Sequence, residues 1–217
     1  MSTLLYIIAH PLNENLSVSQ KIGKEFLKSY KDISPDDDVI ELNLFDEYVP
    51  DIDKDVLEGW EKLNAGVDFS VLSESQRSKI ARINELTSQF IEADKYVFIT
   101  PLWNLSIPAK LKAYIDTIVI AGKTFKYTEN GPQGLLSGKK AIHIHARGGI
   151  FSEGPMKELE FGDRYLKSIL GFIGMEVETI VAEGHAFVPE EAENIINDAI
   201  NKAKSLAKSY SREKNIV

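Results

Sequence analysis

Short runs of apolar residues alternate along the chain with longer segments in which apolar residues recur every three or four positions. Residues 4–8, LLYII, are continuously apolar, which is typical of a central parallel strand covered on both faces. The longer segments have the spacing of amphipathic helices. This pattern predicts five main strands, at residues 4–8, 38–44, 96–100, 141–145 and 176–182, each followed by at least one helix.

The helix boundaries follow from the same spacing and from end signals. Pro108 and Pro189 are placed at helix starts, where a missing N–H is harmless, and Gly174 ends the helix before the fifth strand. The first predicted helix begins near Ser17. The others are predicted at residues 56–63, 76–93, 108–119, 157–172 and 190–209.

Three segments fall outside this alternation. Residues 124–128 alternate like a short strand and run into a turn at residues 129–132. The connection 45–75 is long, and connections of that length are usually functional or interaction elements. The terminal segment 211–217 is predicted to be frayed.

Strands alternating with helices predict an α/β fold with a doubly wound parallel sheet. The rules for crossover connections allow the flavodoxin-like strand order 2-1-3-4-5, with helices on both faces. The fingerprint G-x-G-x-x-G is absent after the first strand, which argues against a dinucleotide-binding dehydrogenase. At 217 residues we expect a single domain, residues 1–217, that binds one cofactor.

Charge and composition narrow the classes of partner. The net charge of −8 argues against a nucleic-acid-binding protein and against docking on an anionic membrane. The chain has no cysteine, so disulfides, iron–sulfur clusters and a thiol nucleophile are excluded. The first apolar run is too short for a signal peptide, and we expect a soluble cytoplasmic protein.

Candidate binding residues follow the first, third and fourth strands, whose carboxyl ends adjoin in the predicted order. After the first strand, Ser17 and Ser19 lie at a helix start, a position that suits a phosphate. Ser17 is equally well explained as an N-cap, and His10 as a partly buried loop histidine. After the third strand, Trp103 could wall a planar ligand and Asn104 could bond its edge, although a lone tryptophan more commonly packs on its neighbours at the rim.

After the fourth strand, the pair Gly148 and Gly149 would let backbone N–H groups approach a ligand closely, although a plain turn gives the same pair. His143 and His145 face one side of this strand, and we interpret them as core histidines rather than metal ligands, because no third ligand is evident. Phosphate donors, an aromatic loop and a Gly-Gly edge on one rim match a flavin mononucleotide (FMN).

Over essentially its whole length the chain resembles the FMN-dependent NADH:quinone oxidoreductases, or azoreductases, of the flavodoxin-like quinone reductase superfamily. The resemblance is carried by PLWNLSIPAKLKAYID at 101–116, GKTFKYTENGPQGLL at 122–136, ARGG at 146–149 and YLKSILGFIGM at 165–175. It implies one FMN per subunit, NADH as electron donor, a homodimer with both sites at its interface, and no metal.

The resemblance also assigns roles by position. It implies phosphate contacts from four residues after the first strand, ring contacts from the loops after the third and fourth strands, an overhanging loop, and an aromatic that reaches the partner's site. The phosphate contacts are His10, Ser17, Val18 and Ser19. The ring contacts are Pro101, Leu102, Trp103, Asn104 and Leu105 after the third strand and Ala146, Arg147, Gly148 and Gly149 after the fourth. The overhanging loop contributes Phe125 and Tyr127, and the aromatic that reaches the partner's site is Phe172.

Three positions depart from the family pattern. Many members have a serine where this chain has His10, a second serine at Ala146 and a phenylalanine at Leu105. The first change keeps a phosphate donor, the second removes a polar contact, and the third removes a ring near the flavin.

The predicted activity is the two-electron, ping-pong transfer of a hydride from NADH through FMN to quinones and azo compounds, with no side chain required as acid or base. The alternative is a one-electron carrier of the flavodoxin type that does not turn over NADH. A third interpretation is an FMN-binding interaction protein without turnover. Steady oxidation of NADH by a quinone separates the first from the other two.

Overall fold

The computed structural model describes residues 1–212, except for the side chain of Arg212. A five-stranded parallel sheet with the order β2-β1-β3-β6-β7 forms the centre of the fold. Counted within this sheet alone, the order is 2-1-3-4-5, which confirms the predicted flavodoxin-like topology. The strands are β1 (Thr3–Ile8), β2 (Asp38–Asn43), β3 (Lys95–Pro101), β6 (Lys140–Arg147) and β7 (Glu176–Glu183).

Within residues 1–212, six α-helices cover the sheet, and each main strand leads into at least one of them. Among the described residues, no helix is both long enough and apolar enough to cross a membrane. The helices are α1 (Val18–Ile33), α2 (Lys54–Asn64), α3 (Glu74–Glu92), α4 (Ala109–Ile118), α5 (Gly162–Phe172) and α6 (Ala192–Arg212).

The sheet separates two hydrophobic clusters. On one face Tyr96 and Phe98 of β3 pack with residues of α3, α4 and α5. On the other face Val97 and Ile99 pack with residues of α1 and α6. Because successive residues of a strand point to opposite faces, a continuously apolar strand serves both clusters, as its sequence predicts.

The two edges of the sheet carry charge. Asp38 and Glu41 are exposed on β2, and Glu176 and Glu178 are exposed on β7. The inner strands β1, β3 and β6 have few exposed residues. The charged strands are therefore the ones whose outer backbone edge has no partner strand.

The region after α4 is a hairpin rather than a lone strand. β4 (Phe125–Thr128) pairs antiparallel with β5 (Gly131–Gly134), with Phe125 opposite Gly134. The second strand was not predicted, since GPQG has none of the residues that favour strands. Gly134 is required there, because a Cβ atom would lie 2.2 Å from the Ile173 carbonyl carbon.

The predicted helix 157–172 is wrong at its start. Residues Lys157–Leu159 form a 3₁₀ turn and the α-helix begins at Gly162. The carboxylate of Glu160 accepts the Asp163 N–H at 2.8 Å, so a residue expected inside the helix caps it instead. The last helix is preceded in the same way by a 3₁₀ turn, Pro189–Glu191.

The other boundaries differ by one to three residues. Helix α3 begins at Glu74 because Ser73 and Gln76 form a reciprocal capping box, and Pro108 is the N-cap of α4 rather than its first residue. The connection 45–75 contains α2 and a 3₁₀ turn, Phe69–Val71. Of the segment expected to be frayed, residues 211 and 212 end α6, and 213–217 lie outside the described residues.

Candidate functional site

The carboxyl ends of four neighbouring strands meet at one edge of the sheet, and a cavity of about 220 Å³ opens there. Nine of the predicted site residues line this cavity, together with two residues that were not predicted. The lining consists of His10, Leu16, Ser17, Val18 and Ser19 after β1, Pro101, Leu102 and Trp103 from the end of β3, Ala146 and Gly148 from the end of β6, and His185 after β7.

The N-terminus of α1 forms one end of the cavity. Ser17 is the N-cap, and its hydroxyl accepts the Gln20 N–H at 3.3 Å. The same hydroxyl lies 3.2 Å from that of Ser19, so one hydroxyl bonds the other. The first turn contains no acidic residue, and free N–H groups at a helix start favour an anion. Ser17 is thus an N-cap and a candidate phosphate ligand together.

His10 borders this anion-binding end, and its Nδ1 atom contacts the backbone of Leu12 in two ways. The Leu12 N–H donates to Nδ1 at 3.0 Å, and the Leu12 carbonyl lies 3.2 Å from the same nitrogen. The first contact needs an unprotonated Nδ1 and the second a protonated one, so the two contacts belong to different tautomers. Burial lowers the pKa of His10, while the backbone contact with Leu12 opposes the shift. A neutral imidazole still has one N–H for a hydrogen bond.

The loop after β3 is a two-residue turn with an unusual backbone. Trp103 and Ser106 exchange two backbone hydrogen bonds of 3.0 Å. Between them Asn104 has φ +47° and Leu105 has φ +69°. Left-handed backbone is tolerated by asparagine but is uncommon for leucine. No local sequence pattern indicates this strain, which the flanking hydrogen bonds hold in place.

Side-chain stacking positions the indole of Trp103. Its ring centroid is 5.3 Å from that of His10 and 6.3 Å from that of Phe45. The side chain remains 40% exposed. Trp103 therefore presents an indole surface at the cavity, as expected for a residue that walls a planar ligand.

Backbone hydrogen bonds join the loop after β6 to the loops on both sides. The Leu102 N–H donates to the Ala146 carbonyl at 2.8 Å, and the N–H groups of Ala186 and Phe187 both donate to the Gly148 carbonyl at 3.1 Å. Within residues 1–212, the N–H groups of Gly148 and Gly149 donate to no protein acceptor. These two N–H groups are available to a ligand.

A buried polar cluster lies beneath this loop, on the face of α5. The hydroxyl of Thr100 is 2.8 Å from His143 Nε2 and 2.7 Å from His145 Nδ1. His143 Nδ1 lies 2.8 Å from Asp163 Oδ1, which also accepts the hydroxyl of Thr179. Burial lowers the pKa of His143 to about 4, and its neighbour His145 adds to the shift. The two histidines bond to core partners, in agreement with their interpretation as core residues.

Arg147 belongs to this cluster rather than to the cavity. Its guanidinium lies 3.7 Å from Glu160 and 3.5 Å from Glu183, and its side chain is 6% exposed. Burial raises the pKa of Glu160, but contacts with His145, the Asp163 N–H and Arg147 outweigh it and hold the pKa at about 2. Both carboxylates thus balance the charge of the arginine, which was predicted as a direct ring contact.

The remaining predicted residues lie beside the cavity or away from it. Asn104, Leu105 and Gly149 flank the lining without belonging to it. Phe125 packs against Tyr127 and Phe172, with ring centroids 5.4 Å and 4.8 Å apart. Phe125 is buried, whereas Tyr127 is exposed. Within one chain these three aromatics form a cluster on the hairpin and the end of α5.

His185 and Leu16 are the lining residues that sequence analysis missed. His185 follows β7 directly after Gly184, so its position resembles that of the predicted residues after the other strands. Only three strand ends were considered, and the fourth one contributes as well. The signal that could have found His185 is a polar residue immediately after a predicted strand at the same edge.

The residues present fit FMN. A phosphate suits the start of α1 with Ser17 and Ser19, and a planar ring suits the exposed indole of Trp103. The N–H groups of Gly148 and Gly149 and the Nδ1 atom of His185 are polar atoms for which the described chain has no partner. Such donors match the polar edge of a flavin and its side chain.

The chain is similar to a known protein family and to its members. Residues 2–207 match the model of a family described as having a flavodoxin-like fold. The chain is also 54% identical over 211 residues to "FMN-dependent NADH:quinone oxidoreductase" of Geobacillus kaustophilus, an alignment that covers 97% of this chain and 100% of the relative.

Solved structures give the same result. An azoreductase from Bacillus anthracis is 42% identical with a TM-score of 0.91, covering 97% of this chain and 100% of that chain. An FMN-dependent NADH-azoreductase from the same organism, solved in complex with FMN, is 36% identical with a TM-score of 0.91 and the same coverage.

We predict that Asn104→Ala is less stable than Asn104→Gly by about 1 kcal/mol, because alanine carries a Cβ into the left-handed region and glycine does not. Urea unfolding of the two flavin-free proteins measures the difference. Both variants lack the amide, so they should share one FMN affinity. Equal stabilities would show that the turn relaxes in the variants.

We also predict that Glu160→Gln lowers the free energy of unfolding at pH 7 by about 1–3 kcal/mol, because a buried arginine loses one of its two carboxylates. The pKa of Glu160 is lower in the folded protein than its ordinary value of 4.5. The stabilisation is therefore complete above pH 4.5 and is lost as pH falls towards 2. The difference between wild type and variant should accordingly shrink at pH 3.5.

The matched control for this prediction is Glu158→Gln, which changes an exposed glutamate two residues away. It should leave the free energy of unfolding within about 0.5 kcal/mol of wild type. A deficit of Glu160→Gln that is the same at pH 7 and pH 3.5 would contradict the role given to its charge.

Proposed function

The chain belongs to the flavodoxin-like family that includes the FMN-dependent NADH:quinone oxidoreductases, and we propose from this membership that it reduces quinones and azo compounds with electrons from NADH. The observation that supports the proposal most is the cavity at the strand ends. There a helix N-terminus without acidic residues, an exposed indole and unpaired backbone N–H groups occur together.

FMN is the cofactor, and each part of the cavity has a proposed role in holding it. The phosphate would lie at the start of α1, the ring against the loop after β3, and the ring edge against the loop after β6. The residues proposed are His10, Ser17, Val18 and Ser19 for the phosphate, Pro101, Leu102, Trp103, Asn104 and Leu105 for the ring, and Ala146, Gly148 and Gly149 for its edge.

Bound FMN would supply the redox chemistry, the transfer of a hydride from NADH and of two electrons to a quinone or an azo compound. The chain's own residues bind and orient the cofactor. The N–H groups of Gly148 and Gly149 are fixed donors, since the Gly148 carbonyl is bonded twice by the next loop. Pre-organised donors of this kind stabilise negative charge without reorganising during the reaction.

Arg147 acts through the backbone in this proposal. Its guanidinium pairs with Glu160 and Glu183, and Glu183 also accepts the N–H groups of Phe151 and Ser152 at 3.0 and 3.1 Å. The ion pairs therefore hold both ends of the loop that carries Gly148 and Gly149. Arg147 is a positioning residue rather than a ring contact.

The flavodoxin-type electron carrier is the weaker candidate. The relatives reported above are named as oxidoreductases and azoreductases, which are enzymes. Besides the five-stranded sheet, the chain has a long connection between β2 and α3 and a hairpin formed by β4 and β5. Because NADH is a metabolite of the cell interior, we propose the cytoplasm as the compartment.

We further propose that two copies form a homodimer through the exposed stripe of α5. Leu166 and Leu170 face the core and are fully buried. Phe161 and Phe172 lie on another side of the helix and remain 44% and 36% exposed, with the half-buried Ile169 between them. Exposed aromatic side chains near both ends of one helix are candidates for a subunit interface. Phe125, Tyr127 and Phe172 would then border the substrate at the partner's site.

We expect light scattering at micromolar concentration to report about twice the subunit mass of 24.3 kDa. Phe161→Glu should shift the protein towards the monomer, because it places a charge in the apolar stripe. Ile33→Glu is the control, since Ile33 is similarly exposed at the far end of α1. A wild-type monomer that turns over, or equal dissociation by both variants, would contradict this interface.

We predict ping-pong kinetics for the FMN-loaded protein, because a nicotinamide and an acceptor that share one face of the flavin cannot be bound together. Reciprocal plots at several fixed quinone concentrations should be parallel. The value of kcat/KM for NADH should be the same with a quinone and with an azo dye as acceptor. Intersecting lines would require separate binding places, and no oxidation of NADH would favour the electron carrier.

A further inference from the structure

His185 occupies the cavity from a fourth strand end. It lies in the loop between β7 and α6 and lines the same cavity as Ser17, Ser19 and Gly148. Helices α1 and α6 pack on the same face of the sheet and contact each other extensively. The loop that begins α6 therefore comes close to the N-terminus of α1, where the phosphate is expected.

The loop around His185 is fixed by its backbone. The Gly184 N–H donates to the carbonyls of Arg147 and Gly149 at 3.0 and 3.1 Å, and the Ala186 N–H donates to the Gly148 carbonyl. Gly184 itself has φ +84°, a left-handed conformation that suits glycine. His185 is thus held on both sides by bonds to the loop after β6.

The imidazole of His185 has one unused polar atom. Its Nδ1 is buried and has no hydrogen-bond partner within the described residues. Burial lowers the pKa of His185, while a contact with the Ala182 backbone opposes the shift. A buried polar atom without a partner destabilises the flavin-free protein, so a ligand that bonds Nδ1 recovers part of that cost.

The charges around the cavity indicate which ligand group is missing. Across the described chain, no lysine or arginine belongs to the cavity lining. The nearest guanidinium, that of Arg147, is directed to Glu160 and Glu183. A phosphate at α1 would therefore meet hydroxyls, helix N–H groups and two histidines, of which only the histidines can carry a charge.

We propose that His185, which lines the same cavity as His10, is a further ligand of the FMN phosphate, donating from Nδ1. The proposal rests on the proposed function, since it takes FMN as the cofactor. It assigns a cofactor contact to the loop after β7, which the family resemblance did not supply. The N–H groups of two imidazoles then bond the phosphate where lysine or arginine often does so.

The test compares FMN with riboflavin, which lacks the phosphate. Flavin-free protein is titrated with each flavin, and the quenching of flavin fluorescence gives Kd. His185→Phe keeps a ring and removes both nitrogens. A charge-assisted hydrogen bond contributes about 1.5–3 kcal/mol, so the Kd for FMN should rise roughly 10- to 150-fold. The Kd for riboflavin should stay within about twofold.

Two variants make the result specific to Nδ1. The amide nitrogen of asparagine is placed like histidine Nδ1, and that of glutamine is placed like Nε2. His185→Asn should therefore recover a large part of the FMN affinity, and His185→Gln little of it. Phe187→Ala is the control in the same loop, because Phe187 is 72% exposed, and it should leave both Kd values unchanged.

Each outcome decides the matter. Weakening of FMN alone, with recovery in His185→Asn, supports the proposal. Equal weakening of both flavins would place His185 at the ribityl chain or ring, and an unchanged Kd for FMN would remove it from the site; either result overturns the proposal. Failure of wild-type apoprotein to bind FMN would instead contradict the proposed function. Riboflavin binding by the variants shows that they are folded.

Discussion

The common register of the parallel strands is the constraint on which the site depends. Ile8 of β1 lies opposite Ile99 of β3, and Pro101 lies opposite Ala146 of β6, so the strands end at nearly one level. Backbone bonds then continue past the strand ends, from Ala9 to Ile99 and from Leu102 to Ala146. The loops therefore form one connected rim, and a shift of one loop would strain its neighbours. A site of this kind is largely formed before any ligand binds.

The buried polar cluster extends this rigidity below the rim. Thr100 and His145 are paired across β3 and β6, and Asp163 at the start of α5 joins them through His143. Buried polar groups are costly unless they are bonded, and most atoms of this cluster have a partner; among the described residues, His145 Nε2 and Arg147 Nε are exceptions. The cluster consequently fixes α5 to the carboxyl end of the sheet, which apolar contacts alone would do with less directional precision. It also explains why a core strand contains two histidines.

Much of the architecture follows from hydrophobic spacing, because apolar runs such as LLYII specify buried strands regardless of detail. Predicting the site loops at β1, β3 and β6 needed only the rule that ligands bind at the carboxyl ends. The errors arose where a side chain changed a local preference. Glu160 caps α5 instead of extending it, and GPQG forms a strand because Gly134 packs against backbone. The left-handed Leu105 and the inward loop of His185 depend on long-range contacts that no local pattern contains.

The charged edge strands limit how the molecule can associate. Asp38 and Glu41 on β2 and Glu176 and Glu178 on β7 would face the like charges of a second copy if two sheets joined edge to edge. Such charges are a common defence against the addition of strands. Both edges of the sheet accordingly disfavour the addition of a further strand. The same acidic borders give partly unfolded molecules less opportunity to pair their exposed strands into aggregates.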